Sequence, residues 1–234
     1  MKTVLVISCH PDDMEIECGG TLLKCKERGD RVVVCHLCNG NMGHMVIMPD
    51  ELAEIRAKEA ERGSAIGGFE IIHGGFGDLD IYDNKESRDR VVKIIRDVKP
   101  DFIITHYPED YMPDHNTTSK LVFDASFAAS VPHYEPQLGT PCELVPIYYM
   151  ATASGIGFTP TEYVDITEYI EKKLEMVECH ASQVVWLKDH NDVDLLEKVR
   201  SVNRNLGIQC GRQYAEGFRE CVVNLKIRPE RMLP

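Results

Sequence analysis

Two short strings in this chain combine imidazole and carboxylate at spacings that suit a metal ion. The first is Cys9-His10-Pro11-Asp12-Asp13-Met14-Glu15. His10 and Asp13 are three residues apart in a turn stiffened by Pro11, and a neutral imidazole and a carboxylate are both good ligands for Zn²⁺. Asp12 and Asp13 are neighbours, so their side chains are expected to diverge, one toward a metal and the other toward the water beside it. Taken alone, the string reads equally well as a turn, because Pro-Asp is common in turns and Asp often caps a helix. The second string, His106-Tyr107-Pro108-Glu109-Asp110-Tyr111-Met112-Pro113-Asp114-His115, supplies a partner. His115 would be a third ligand, with Asp114 beside it in support. Two imidazoles and one carboxylate leave a fourth position open for water or substrate, as catalytic zinc requires. The chemistry such a set performs is hydrolysis.

These residues need strand ends to bring them together, and the hydrophobic pattern provides them. Short β-branched runs at 4–8, 32–37, 70–73, 102–105, 147–150 and 221–227 read as strands, several of them apolar on consecutive positions as in a sheet covered on both faces. Helices are predicted at 19–27, 49–63, 87–98, 117–130, 168–180 and 193–206. The alternation predicts an α/β chain with a Rossmann-like, doubly wound, mostly parallel sheet and helices on both faces. Residues 1–234 read as one domain, with 130–161 as loops around one strand. Ligands of such sheets bind beyond the carboxyl ends of the strands, where both strings fall. Gly74-Gly75-Phe76-Gly77 lacks the GxGxxG spacing and a following helix, which argues against a dinucleotide site.

The chain resembles the PIG-L/LmbE-like metal-dependent deacetylases, which include deacetylases of N-acetylglucosaminyl-phosphatidylinositol and of mycothiol and bacillithiol synthesis. The resemblance rests on His10-Pro11-Asp12-Asp13-Met14 with Gly19-Gly20-Thr21, Arg56-Ala57-Lys58-Glu59, Gly77-Asp78, His180-Ala181-Ser182-Gln183 and Tyr214-Ala215-Glu216-Gly217-Phe218, in that order from residue 4 to about residue 225. It implies a hydrolase that removes an N-acetyl group from an amino sugar or related small amide. It implies His10, Asp13 and His115 as ligands of Zn²⁺, with Fe²⁺ also suited to the set. It implies Asp12 as the base that activates water and Arg56 as a substrate contact; Asp114, beside His115, is a further expected catalytic residue. A homo-oligomer, trimer or hexamer, is implied as well.

The chain departs from the family pattern in two places. The family often reads H-x-D-H in the second string, its first His polarising the substrate carbonyl, whereas Met112 stands there and a thioether donates no hydrogen bond. Tyr111, Asn116, His44 and His133 are the residues that could fill the role. An acidic sugar contact after the second strand is replaced by Asn41, which with Tyr111 is an expected substrate contact. Arg56 could instead pair with Glu59 along its own helix. His180 and Gln183 read as the structural end of the helix at 168–180, where the dipole favours an imidazole. Tyr214 and Glu216 precede the last strand, and the resemblance implies pocket-rim or oligomer contacts for them. Residues 184–187, Val-Val-Trp-Leu, read as an apolar surface cluster or subunit contact.

Bulk properties narrow the partners. The formal net charge of −12 opposes phosphate backbones and anionic membranes, leaving a small molecule as the expected partner. The apolar run at 4–7 is too short for a signal peptide or a membrane span. Nine cysteines include a single CxxC, Cys35-His36-Leu37-Cys38, with no second pair at zinc-ribbon spacing. They read as reduced thiols in a cytoplasmic protein. Two other functions compete: a zinc hydrolase of a non-sugar amide, and a metal-binding module with little catalysis.

Overall fold

A computed structural model describes residues 1–234. The elements follow as β1 (Thr3–Ser8), α1 (Asp13–Glu27), β2 (Arg31–Cys38), α2 (Pro49–Gly67), β3 (Glu70–Phe76), α3 (Lys85–Val98), β4 (Phe102–His106), α4 (Pro113–Ser130), β5 (Ile147–Met150), β6 (Glu162–Asp165), α5 (Ile170–Glu178), α6 (Ala181–Asn191), α7 (Leu195–Cys210) and β7 (Ala215–Glu220). All seven strands form one sheet in the order β3-β2-β1-β4-β5-β7-β6. The first five pair in parallel, and β7 runs antiparallel between β5 and β6. This is the predicted α/β architecture. None of its helices is long and apolar enough to cross a membrane.

Strand periodicity builds the two cores. In β1, Val4 and Val6 face one apolar cluster, whereas Leu5 and Ile7 face the other. β2 repeats the alternation with Val32 and Val34 against Val33, Cys35 and Leu37. Residues of α1, α5 and α7 cover the first face, and α3 and α4 cover the second. Burial on both faces explains why the strands are apolar at consecutive positions.

The chain order reverses between β1 and β4. These adjacent parallel strands send their following helices to opposite faces, which opens a crevice beyond their carboxyl ends. Both strings of candidate ligands lie there.

Four sequence expectations need correction. The last strand is Ala215–Glu220, not 221–227, and β6 was not foreseen. Glu216 and Gly217 are poor strand formers, but Glu216 is held inside by a specific partner set. Its carboxylate accepts the Gly20 and Thr21 N–H groups at 2.9 and 2.7 Å and the Lys173 ammonium at 2.6 Å. Glu216 is therefore an internal tie between β7, α1 and α5, not a pocket-rim or oligomer contact. Helix α1 starts at Asp13, six residues before the predicted start, with Gly19 and Gly20 inside it. A Cβ on Gly20 would lie 2.8 Å from Ile166, so glycine permits this close packing. Residues 184–187 belong to α6, whose apolar residues are consecutive and carry no helical period.

The Lys173–Glu216 pair is fully buried on both sides. Glu216→Leu would strand a buried ammonium and two backbone donors, and is expected to cost about 3–5 kcal/mol. Urea unfolding measures this, and a loss below about 1 kcal/mol would show that the tie carries little stability.

Candidate metal centre

The candidate ligands reach one point from two elements. His10 follows β1, and its backbone N–H donates to Asp13 Oδ2 at 2.6 Å, closing the turn. Asp13 opens α1. Helix α4 begins at Pro113, four residues before its predicted start, so Asp114 and His115 occupy its first turn. Both carboxylates thus sit at helix N-termini, where the dipole favours negative charge.

Three ligand atoms form a near-equilateral triangle. His10 Nδ1 lies 3.3 Å from His115 Nε2 and 3.5 Å from Asp13 Oδ2, and His115 Nε2 lies 3.4 Å from Asp13 Oδ2. Ligands about 2.0–2.1 Å from a tetrahedral zinc are separated by about 3.3–3.4 Å. The donor set therefore fits a metal without rearrangement.

The other ring nitrogens complete the fit. His10 Nε2 is 3.2 Å from Asp114 Oδ2, and His115 Nδ1 is 3.1 Å from Asp110 Oδ2. A carboxylate behind each ligating imidazole fixes its tautomer and orientation. Asp114 is itself anchored by the Leu79 N–H at 2.8 Å. Burial disfavours the charged His115 ring, yet Asp13 and Asp110 outweigh it and push its pKa up to about 10. Burial likewise lifts the Asp13 carboxyl, but His115 and His106 overcome it and hold Asp13 well below the usual carboxylate range. The cluster holds an excess of carboxylate that a cation would neutralise.

Two other groupings are geometrically possible: His106, Asp110 and His115, and Cys9, Cys38 and Asp114. In the first, His106 Nε2 accepts the Cys9 N–H at 2.8 Å, so its lone pair is occupied. Burial and the nearby His115 push the His106 pKa down to about 4, so the ring is neutral, stacked on His115 at 3.9 Å. In the second, burial pushes the Cys9 thiol well up, away from the thiolate that binds metal. The His10–Asp13–His115 set has neither handicap.

Asp12 stands beside the triangle in an unusual backbone state, with φ 115° at the start of α1. Such left-handed geometry costs a non-glycine residue about 1–3 kcal/mol and turns Asp12 away from its neighbour Asp13. Its carboxylate meets the Arg56 guanidinium at 3.0 Å. Burial raises the Asp12 carboxyl above its ordinary range, with Arg56 restraining the rise.

Arg56 also donates to Gly40 O at 3.2 Å and to Pro11 O. A Cβ at Gly40 would lie 2.5 Å from the Arg56 side chain, so the loop after β2 needs glycine there. Glu59 is not the partner of Arg56. It accepts the Ser182 N–H and hydroxyl at 2.8 and 2.6 Å, fastening α6 to α2.

The crevice is a cavity of about 380 Å³ that Arg56, Asp12 and Tyr111 line together with the triangle. Asn41 does not line it. Its Oδ1 accepts the Asp78 N–H at 2.9 Å, and the next residues, Met42 and Gly43, form the wall instead. Met112 lines the cavity next to Asp114. Of the four residues able to replace an imidazole there, Tyr111 alone lines the cavity. Asn116 is hydrogen-bonded to the Asp110 backbone, and His44 accepts the Val46 and Ile47 N–H groups. His133 lies outside the cavity wall.

His180 does not end a helix. It lies between α5 and α6, fully buried, with Nε2 3.1 Å from Glu15 Oε1. Gln183 follows in α6, lines the cavity and donates to Gly43 O at 3.1 Å. Sequence reasoning assigned no role to Asp110 or Asp78. Asp78 accepts the Gly40 and Met42 N–H groups and shapes the loop over the cavity. The signal for Asp110 was its position five residues before His115, in a turn where its carboxylate folds back.

Known proteins resemble this chain over most of its length. The model of the family PIG-L: GlcNAc-PI de-N-acetylase matches residues 5–126. The chain is 31% identical to a diacetylchitobiose deacetylase of Thermococcus kodakarensis, over 94% of this chain and 83% of that protein. It is 28% identical to a 4-oxalmesaconate hydratase of Pseudomonas putida, over 93% and 88% of the two chains. Its fold matches N,N'-diacetylchitobiose deacetylase from Pyrococcus horikoshii with a TM-score of 0.83 at 28% identity, covering 94% of this chain and 83% of that one.

Proposed function

The chain belongs to the PIG-L (GlcNAc-PI de-N-acetylase) family, and on that premise we propose that it is a zinc-dependent hydrolase that removes the acetyl group from the nitrogen of an amino sugar. The observation that carries the proposal is the His10–Asp13–His115 triangle with the Asp12 carboxylate beside it.

His10, Asp13 and His115 would hold the ion. Zn²⁺ supplies a Lewis acid that polarises the amide carbonyl and acidifies water toward a pKa of about 7. Asp114 and Asp110 keep the two imidazoles in ligating orientation. Asp12 takes the proton of the attacking water and delivers it to the nitrogen as the C–N bond breaks, giving acetate and a free amine. Arg56 holds Asp12 in place. Tyr111 is the side chain at the cavity mouth best placed to touch the sugar.

The hydratase relative raises a second reading, addition of water to the double bond of an organic acid anion. The cavity argues against it. Five aspartates line it, burial pushes Glu17 up to about 8, and Arg56 is already paired with Asp12, so beyond the metal ligands Lys198 is the cation left to meet a polyanion. Release of acetate from N-acetylglucosamine glycosides tests the proposal. Hydration of 4-oxalmesaconate without acetate release would overturn it.

Met112 leaves the carbonyl oxygen without a side-chain donor at that position. A lost oxyanion donor costs about 2.7–4 kcal/mol in barrier height. Met112→His is therefore expected to raise kcat at least about tenfold, with KM little changed, in steady-state acetate release. Unchanged or lower kcat with full metal content would show that the oxyanion is already served.

A further inference from the structure

The cavity extends well beyond the metal triangle, and its outer part has a different character. On α1, Ile16 and Glu17 follow Asp13 by three and four residues, so they continue the ligand's own helix face outward. Opposite them, α7 presents Leu195, Val199 and Val202 to the same cavity, at spacings of four and three, and α6 adds Leu187. Leu195 and Val199 belong to the main apolar core, so this wall is the core's exposed end. The cleft does not stop at Val202. A second depression of about 460 Å³ shares Ala151, Ser154 and Val202 with the first and continues along α7 to Phe158 and Leu206.

We propose that the cleft between α1 and α7 is a subsite for an aliphatic chain carried by the substrate, lying along α7 away from the metal triangle. Ile16, Leu187, Leu195, Val199 and Val202 line the inner part of the cleft, and Phe158 and Leu206 its continuation, an apolar strip that suits an aliphatic chain, with Glu17, Lys198, Ser154, Ser201 and Asn205 as the polar groups beside it. The chain could be the aglycone of an amino-sugar glycoside or an N-acyl group longer than acetyl. The proposal rests on the deacylase reading only for the identity of the head group.

Two measurements separate the two ideas. The first is calorimetric affinity for alkyl β-glucosaminides, which carry the free amine and are not turned over, from methyl to octyl. The second is release of the carboxylic acid from two series, alkyl N-acetylglucosaminides and methyl glucosaminides with N-acyl groups from acetyl to hexanoyl. Burying methylene groups is expected to raise either affinity or kcat/KM roughly tenfold or more along one series. Leu187→Asn and Val202→Asn, both half-buried positions, should flatten that rise while leaving the shortest member unaffected. A rise along the alkyl series assigns the cleft to the aglycone, and a rise along the acyl series assigns it to the acyl chain. Climbing affinity without any acid release would keep the subsite and refute the deacylase. Acid release that is flat along both series, or a rise that both variants leave intact, would overturn the subsite.

Discussion

Asp12→Asn is expected to lower kcat by a factor of about 10²–10⁴, with KM and metal content close to the parent. The amide keeps the size of the carboxylate and an oxygen for Arg56, which sits 3.0 Å from Asp12. It cannot take a proton from water. The Asp12 backbone, at φ 115°, is held by the turn that also aims His10 and Asp13, so the substitution changes chemistry without releasing the loop. Acetate release over time, with metal measured on the same sample, checks this. Activity within tenfold of the parent would show that another group is the base.

His115→Ala is expected to weaken metal binding by at least about a thousandfold, on the order of a quarter to a half of the free energy of a structural zinc site, and to abolish turnover at ordinary metal concentrations. One corner of the triangle disappears, and the two remaining donors, 3.5 Å apart, bind a cation alone. The carboxylates behind the ligands give a graded control. Asp110→Asn and Asp114→Asn leave every ligand in place, and each is expected to cost only about 10–100-fold in metal affinity. Competition with a fluorescent chelator ranks the variants. Equal affinity in His115→Ala and the parent would remove His115 from the ligand set.

The convergence of His10, Asp13 and His115 was readable in the sequence because the requirement is local. An imidazole and a carboxylate three residues apart after one strand, and a second imidazole after another, converge once the strands are neighbours. The parallel pairing of β1 and β4, Val4 with Phe102 through Ile7 with Thr105, supplies that neighbourhood. Partners set by tertiary packing were not readable. Arg56 was seen as a substrate contact or a partner of Glu59, but the loop crossing at Gly40 delivers its guanidinium to Asp12. Asn41 has the right chemistry for a sugar, yet Asp78 takes its carboxamide. His180 reads as a helix end until α6 is known, since nothing in residues 181–191 has a helical apolar period. Glu216 lies in a strand that propensity rejects, because Lys173 and two α1 amides stabilise its burial from 43 and nearly 200 residues away. For Arg56, Asn41 and Glu216 the deciding partner is distant in the chain, whereas for His180 it is the next element, whose pattern hides the helix.

The proposed chemistry depends on one divalent cation seated between His10, Asp13 and His115. Anomalous diffraction at the zinc edge from crystals of the metal-loaded chain tests it most directly. One strong peak is expected, about 2.0–2.1 Å from His10 Nδ1, Asp13 Oδ2 and His115 Nε2. A peak between Cys9, Cys38 and Asp114 instead, or none in a crystal of active enzyme, would contradict it.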